Sequence, residues 1–359
     1  SDACSTSTTA VTVADASSTK TFYYDDTLDN GPTLTMTGPG FTTQNVDTTV
    51  FTINPAVADH IEIISGSGQT SVAGVCSATA ITVRTRDQYN NITTDQGGTT
   101  VVTLSSDSTG ETYYTDACTT SSGSVTLADG VSTKTFYYKD TLSSGHTTTV
   151  SVAGFTTQNS DTDAYTIIPA VADMIEVSAG GGQTTVADIC VATAVTVRTK
   201  DQYGNITTDN PGNTTVNIST DSSGETMYSD ACTTGAGSVD VIDGTSTQTF
   251  YYKDTLSSGH TINVSVPGFT TQNADTAAYT IDPAVVDHIE YSTGATQTLA
   301  AGVCSGVITA RTKDQFGNIT TDNPGGTVIN LTTGSGSGTF YSDACSTSTT
   351  AVTVADASS

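Results

Sequence analysis

The sequence predicts an all-β chain of tandem β-sandwiches, and three observations lead there: an internal repeat, a composition poor in helix signals, and short segments that alternate apolar and polar residues between turns. The triplets Asp2-Ala3-Cys4, Asp116-Ala117-Cys118, Asp230-Ala231-Cys232 and Asp343-Ala344-Cys345 recur every 113 or 114 residues. A Thr-Phe-Tyr-Tyr run returns at Phe22, Phe136 and Phe250, a Gly-Phe-Thr-Thr-Gln-Asn run at Phe41, Phe155 and Phe269, and a Pro-Ala-Val segment at Pro55, Pro169 and Pro283. Near-identical units at a fixed period are the mark of an array that builds length. Ser and Thr make up about a third of the 359 residues, Trp is absent and only 13% are charged. Thr and Val among Gly and Asn turns favour strands.

Residues 342–359 repeat residues 1–18 letter for letter. Independently drifting repeats would not match so well at one place and differ elsewhere, so the three-unit block itself reads as duplicated. The expectation is a stretch of a longer array that begins and ends inside a unit. Ser1 is not an initiator Met and no export signal follows it, so signals for export and anchoring are expected outside the 359 residues.

Proline punctuates the period. It cannot donate to a sheet ladder, and the residues before Pro55, Pro169 and Pro283 alternate as a closing strand would. Whole units are therefore expected at 55–168 and 169–282, flanked by a C-terminal half at 1–54 and an N-terminal part at 283–359. At about 114 residues each unit can bury a core of its own.

Within the first whole unit, Ile61 and Ile63 point one way in the opening strand. Ile81 and Val83 do so in the next, with Thr82 and Arg84 facing out. A turn is expected from Asp87 to Asn91. Val101 with Thr103, Val125 with Leu127, Phe136 with Tyr138, Val150 with Val152, and Tyr165 with Ile167 mark the inward positions of the later strands. About seven strands between Gly, Asn, Asp and Ser turns make an immunoglobulin-like β-sandwich. The turn residues Asn90, Gly204 and Gly317 share one position, and Asn and Gly are the residues that most readily take positive φ. Asp87, Asp201 and Asp314 read as carboxylates capping their own turns, with metal binding as the alternative.

Seven cysteines fall into two alternating classes. The natural pairs are Cys76 with Cys118, Cys190 with Cys232, and Cys304 with Cys345, leaving Cys4 unpaired within this stretch. A disulfide closing a loop of about 42 residues stabilises by about 4 kcal/mol on the chain-entropy argument. The competing reading is a metal site, against which each unit offers two thiols and no accompanying His. Disulfides place the chain in an oxidising, extracellular setting.

Residues 197–205 (Val-Arg-Thr-Lys-Asp-Gln-Tyr-Gly-Asn), their counterparts at 83–91 and 310–318, the preceding Gly-Gln-Thr segments and the Phe-Tyr-Tyr-Lys-Asp-Thr segment from Phe136 resemble bacterial immunoglobulin-like domains of the invasin and intimin type, and more distantly filamin repeats. The likeness covers essentially the whole chain. It implies rigid extracellular spacers, exported and strung in series. Two departures stand out: the unit is longer than the usual family member, and it adds the cysteine pair. No lectin-like tip or outer-membrane barrel occurs, so an invasin-style binding role does not carry over.

The net charge of −26 and a pI of about 4.1 repel nucleic acid and anionic membranes, which excludes both as partners. No stretch is apolar enough to cross a membrane. The acidity suits the solubility of an exported surface; a cation-binding role is the alternative. A repeated catalytic base is excluded by comparing units: His60 and His288 correspond to Met174, while His146 and His260 fall where the first half-unit has Gly31 and Pro32. No nucleophilic triad, phosphate loop or paired-carboxylate motif recurs. Lysine cross-links fail in the same way, since Lys20 and Lys134 become Gln248, Lys139 and Lys253 become Asp25, and Lys200 and Lys313 face Arg86. Covalent clamping then falls to the disulfide.

Asp59, Asp161, Asp163, Asp173, Asp282 and Asp287 crowd the boundary prolines, and interdomain calcium stays open as an alternative to no cofactor at all, although no calcium loop of fixed spacing is present. Asn-X-Ser/Thr triplets occur at Asn91, Asn205, Asn213, Asn217, Asn263, Asn318 and Asn330. Asn91, Asn205 and Asn318 are the candidate glycosylation sites because they share one turn expected to be exposed.

These readings converge on a non-enzymatic structural protein at the cell surface or outside the cell, whose disulfide-clamped repeats form a fibre or filament. The alternative is the repetitive stalk of an adhesin whose binding domain lies elsewhere. The partners are copies of the chain or neighbouring repeats in one polypeptide. A polymer of separate subunits joined by donated strands also fits, but residues 1–18 and 342–359 would compete for the same place, which favours a continuous chain.

Overall fold

The computed structural model describes residues 4–42, 46–158, 163–210, 212–273 and 278–356. Among them every helix or strand is a strand. The chain divides into two compact units, residues 1–168 and 169–359.

In the first unit, Ala58–Ser65 pairs antiparallel with Ile81–Asp87, Ile81–Asp87 with Thr133–Asp140, and Thr133–Asp140 with Glu111–Tyr114. Thr157–Gln158 closes the other edge of this five-stranded sheet, parallel to Ala58–Ser65. A second sheet sets Thr100–Ser106 between Thr148–Ser151 and Ser124–Leu127. A third sets Tyr165–Ile168 between Ser144–His146 and Thr70–Val72.

The reason lies in the period. Side chains alternate across a strand, and Ile81–Asp87 buries every second residue along its whole length. Ile61, Ile81, Val83, Phe136 and Tyr138 of the first sheet share one core with Val102, Leu104, Val125, Leu127 and Val150 of the second and with Tyr165 of the third. Tyr138 and Tyr165 meet at a tilt of 47° with ring centroids 4.9 Å apart, a contact that adds to the area they bury. This is an all-β immunoglobulin-like sandwich.

One strand is read out of phase by sequence. Val101 is exposed and Val102 and Leu104 are buried, so the inward set is not Val101 with Thr103. Two adjacent valines leave the phase open, and Leu104 is the apolar residue that settles it. The strand count also exceeds about seven because Thr70–Val72, Glu111–Tyr114, Ser144–His146 and Thr157–Gln158 are too short to carry a period.

The second unit repeats the pattern. Val195–Asp201 lies between Ala172–Ala179 and Thr247–Asp254, and Thr214–Thr220 between Ser238–Val241 and Ile262–Ser265. The irregular pairings recur as well: the register shifts between Ala58 and His60 and between Ile63 and Ser65 reappear between Ala172 and Met174 and between Val177 and Ala179. Repeated bulges are built features of a sheet. After this strand Gly180 takes φ +79°, and a Cβ there would lie 2.3 Å from the Ala194 carbonyl oxygen. Its own carbonyl accepts the Tyr279 hydroxyl at 2.7 Å, so a buried tyrosine depends on a residue without a side chain.

Outside the core, one glutamate per repeat is shared by two cations of the adjacent strand: Glu62 by Arg84 and Arg86, Glu176 by Arg198 and Lys200, Glu290 by Arg311 and Lys313. Arg84 thus lies half-buried in an ion pair rather than free in solvent.

Phe250 is fully buried in the second core. Phe250→Ala is expected to lower the stability of that sandwich by about 3–5 kcal/mol, read as a shift of one transition in urea unfolding with the transition of the first sandwich unmoved. A shift below about 1 kcal/mol would contradict this packing.

Candidate functional site: the clamped turn and the disulfide loop

The turn after the second long strand of each repeat is built around one buried carboxylate. In Asp87, Oδ1 accepts the amides of Tyr89 and Asn91, both at 2.9 Å, and Oδ2 accepts the Ala56 amide at 2.8 Å and the Asn91 Nδ2 at 2.9 Å. Asp201 does the same with Tyr203, Asn205 and Ala170, and Asp314 with Phe316, Asn318 and Ala284. All three aspartates are fully buried. The residue inside the turn sits at positive φ in each copy: 73° at Asn90, 88° at Gly204 and 88° at Gly317.

Ala56, Ala170 and Ala284 belong to the Pro-Ala-Val segments, so the turn grips the connecting chain. The grip has two sides. The carboxylate takes the alanine amide, and the hydroxyl of Thr93, Thr207 or Thr320 donates to the alanine carbonyl at 2.7, 2.8 or 2.9 Å.

The asparagine reaches further. Asn91 Nδ2 donates to the Thr27 carbonyl at 2.8 Å and its Oδ1 accepts the Asp29 amide at 3.1 Å. In the second unit Asn318 makes the same pair with Thr255 and Ser257, at 2.8 and 2.9 Å. Phe316, from the middle of that turn, packs with Ala284 against the core formed by residues 175–281. The motif therefore does more than turn the chain: it fastens a strand end to the connector and to the loop of the preceding repeat.

The asparagines expected to be exposed are not. Asn318 is buried, Asn91 and Asn205 are half-buried, and the carboxamides of Asn91 and Asn318 give Nδ2 to two acceptors each. The turn is exposed at its middle residues, while the carboxylate draws its last residue inward.

Burial pushes the carboxyls of Asp87 and Asp314 up, and the hydrogen bonds from the asparagine side chain, the alanine amide and the turn amides outweigh it, leaving both below the ordinary aspartate value of 3.8. The anion is favoured more in the folded chain than in the unfolded one. Its contribution is complete above the unfolded value and is lost as pH falls through the lower folded value.

The structure joins Cys76 to Cys118, Cys190 to Cys232 and Cys304 to Cys345, with Cα atoms 6.0, 6.0 and 6.1 Å apart; Cys4 is free and exposed. Cys118, Cys232 and Cys345 all take φ near +60°, an unfavourable conformation for a side chain other than glycine. The neighbouring aspartate holds it. Asp116 accepts the Thr119 hydroxyl at 2.6 Å and the amides of Thr119 and Thr120 at 2.8 Å, and these bonds keep its carboxyl well below the usual range, as they do for Asp230 and Asp343.

Sequence reasoning missed a second buried cluster. The Tyr138 hydroxyl donates to Asp140 at 2.5 Å, the Leu142 amide donates to the same carboxylate at 2.9 Å, and His146 Nε2 lies 3.9 Å from it. Tyr252, Asp254, Leu256 and His260 repeat it. Both aspartates are fully buried, and a Cβ on Gly110 or Gly224 would lie 2.7 Å from their Oδ1. The recurring Tyr-Tyr-Lys-Asp run was the available signal. Comparing histidines between units hid it, because the first half-unit carries Tyr24 and Asp26 without the His.

Among the described residues no group of three or more His, Cys, Asp or Glu side chains is placed to hold a metal ion. Asp59 and Asp173 instead accept the hydroxyls of Thr156 and Thr270, and Asp163 accepts that of Ser67 at 3.0 Å. Asp161 lies outside the described residues.

No protein-family model and no curated protein matches this chain. Among solved structures, InvD of Yersinia pseudotuberculosis is similar at 22% identity, covering 72% of this chain and 71% of its own, with a TM-score of 0.30. Invasin, described as a bacterial integrin-binding protein, is similar at 18% identity over 76% of this chain and 49% of its own, with a TM-score of 0.27. The D0–D1 domain of intimin is similar at 12% identity over 61% of this chain and 93% of its own, with a TM-score of 0.21. With TM-scores below 0.5, these likenesses bear on no partner or activity of this chain.

Two expectations follow from the clamp. Asn318→Ala should lower the stability of the 283–356 segment by about 1–3 kcal/mol, read as faster amide exchange in Thr309–Lys313 with the 175–281 core unchanged. Acid should act on the same residues: thermal stability is expected to fall below about pH 4, and Asp314→Asn should flatten that fall in this segment. Equal acid sensitivity in wild type and Asp314→Asn would contradict the role of the carboxylate.

Proposed function

We propose that this chain is a structural protein of the cell surface or extracellular space, whose repeats act as stiff, disulfide-clamped spacers and build a fibre or filament with copies of itself or with neighbouring repeats. One observation carries the reading. The same buried aspartate fixes the connector in all three copies of the turn, and the asparagine of the first and third copies bridges to the loop before it. Both backbone groups of each connector alanine are held by the repeat that follows it. The machinery of each repeat is thus devoted to holding geometry, and its buried carboxylates are held by internal hydrogen bonds. An enzymatic role has no support in this arrangement, and no cofactor is invoked. Three disulfides accord with an oxidising compartment. The use of the same repeats as the stalk of an adhesin draws on the same stiffness and on the resemblance of the motifs to invasin-type domains.

Stretching single molecules tests the reading. While oxidised, each disulfide withholds the 42-residue separation between its cysteines from extension. Reduction is expected to lengthen the contour released by each whole sandwich by roughly 15 nm, from about 3.5 Å per residue. Equal increments before and after reduction, or free thiols at Cys76 and Cys118 in native material, would overturn the clamped-spacer reading.

A further inference from the structure

We propose that the outward face of the three-stranded sheet in the second sandwich carries N-linked sugar, attached at Asn217 and Asn263. The proposal goes beyond the spacer reading and rests only on its extracellular setting.

The triplet Asn217-Ile218-Ser219 lies within Thr214–Thr220, and Asn263-Val264-Ser265 within Ile262–Ser265. Residues two apart share one face of a strand, so each asparagine stands beside the serine of its own triplet. All four are exposed, while Ile218 and Val264 between them are buried in the core. The antiparallel register matches the triplets to each other, with Asn217 opposite Ser265 and Ser219 opposite Asn263. The four side chains thus make one polar rectangle turned to solvent. Among the described residues neither carboxamide meets a hydrogen-bond partner. The same face of the first sandwich sets Thr103 opposite Ser151 and Ser105 opposite Thr149. Both threonines become asparagine in the second sandwich and both serines stay, so two exchanges at diagonal corners complete two acceptor triplets. One repeat further on, Asn330 holds the place of Asn217, with Thr332 two residues after it.

The asparagines of the clamped turn are unsuited to the same chemistry. A sugar takes one proton of Nδ2, and Asn91 and Asn318 spend that nitrogen on two acceptors each. Asn205 gives it to the buried Asp201 at 2.8 Å. On the sheet face the nitrogen is unspent. Transfer from a lipid-diphosphate-linked sugar would form the bond from Nδ2 to the anomeric carbon and break the bond from that carbon to the diphosphate oxygen. The diphosphate leaves with the electron pair, and the carboxamide gives up one proton to the transferase. Donor and transferase come from the producing cell. Sugar is bulky and solubilising, so on this face it would keep the sheet from packing against a neighbouring array.

Glycopeptide mass spectrometry of the native protein from its producing cell, digested without reduction, tests the proposal. Hexose or N-acetylhexosamine mass is expected on Asn217, Asn263 or both, with the peptides of Asn91, Asn205 and Asn318 bare. Replacing both exposed serines in that cell, Ser219→Ala with Ser265→Ala, should abolish the modification while the second sandwich melts as before. Bare Asn217 and Asn263 in material whose Cys190–Cys232 bond is intact would overturn the proposal and leave the extracellular reading standing. Sugar confined to Asn213, in the loop before the strand, or sugar on the clamp asparagines, would contradict the assignment to this face. So would sugar that persists in the double serine variant.

Discussion

The interaction on which the rest depends is the acceptance of four hydrogen bonds by one buried aspartate in each repeat. Taking a carboxylate out of water is costly unless its lone pairs are satisfied, and here two turn amides, one connector amide and one carboxamide satisfy them. The turn, the connector and the asparagine are each placed by the same two oxygen atoms. Removing the carboxylate would orphan three backbone donors at once, which is why the motif tolerates Tyr or Phe in its middle and Asn or Gly at its positive-φ position but carries Asp and Asn at its ends in all three copies.

That arrangement divides the work of holding the molecule together. The sandwich cores are small and aromatic-rich, and the second collects Phe250, Tyr252 and Tyr279 around valines and isoleucines. Their stability is local to each repeat. The disulfide is local too, tying one loop by shrinking the unfolded ensemble. Within the second unit, contact from one repeat to the next runs through the clamp, where Asn318 takes the backbone of Thr255 and Ser257 and Phe316 packs on the core before it. Local cores with nearest-neighbour contacts are the energetic pattern of a linear array.

Much of the fold was legible because its signals are local and repeated. Alternation placed Ile81 and Val83, Phe136 and Tyr138 inside, and the exchange of Asn90 for Gly204 and Gly317 marked the positive-φ residue. The phase of Thr100–Ser106 was not legible, since adjacent valines satisfy either face. The clamp was half legible: a carboxylate capping its own turn follows from spacing, whereas its reach to Ala56 spans 31 residues and that of Asn91 to Thr27 spans 64. No local pattern records contacts of that range. The Tyr138–Asp140–His146 cluster was hidden for a different reason, because the first half-unit carries Tyr24 and Asp26 without a His and the comparison between units sets the histidine aside.

Native-state hydrogen exchange at the amides of Ala56, Ala170 and Ala284 tests the central claim most directly. Each lies in a connector, where exchange would ordinarily be as fast as in any loop. If the buried aspartates clamp the connectors, these three amides will exchange only as slowly as the strands Ile81–Asp87, Val195–Asp201 and Thr309–Lys313 that carry the turns, and they will speed up together with those turns in acid. Exchange at loop rates, with the strands still protected, would contradict the account.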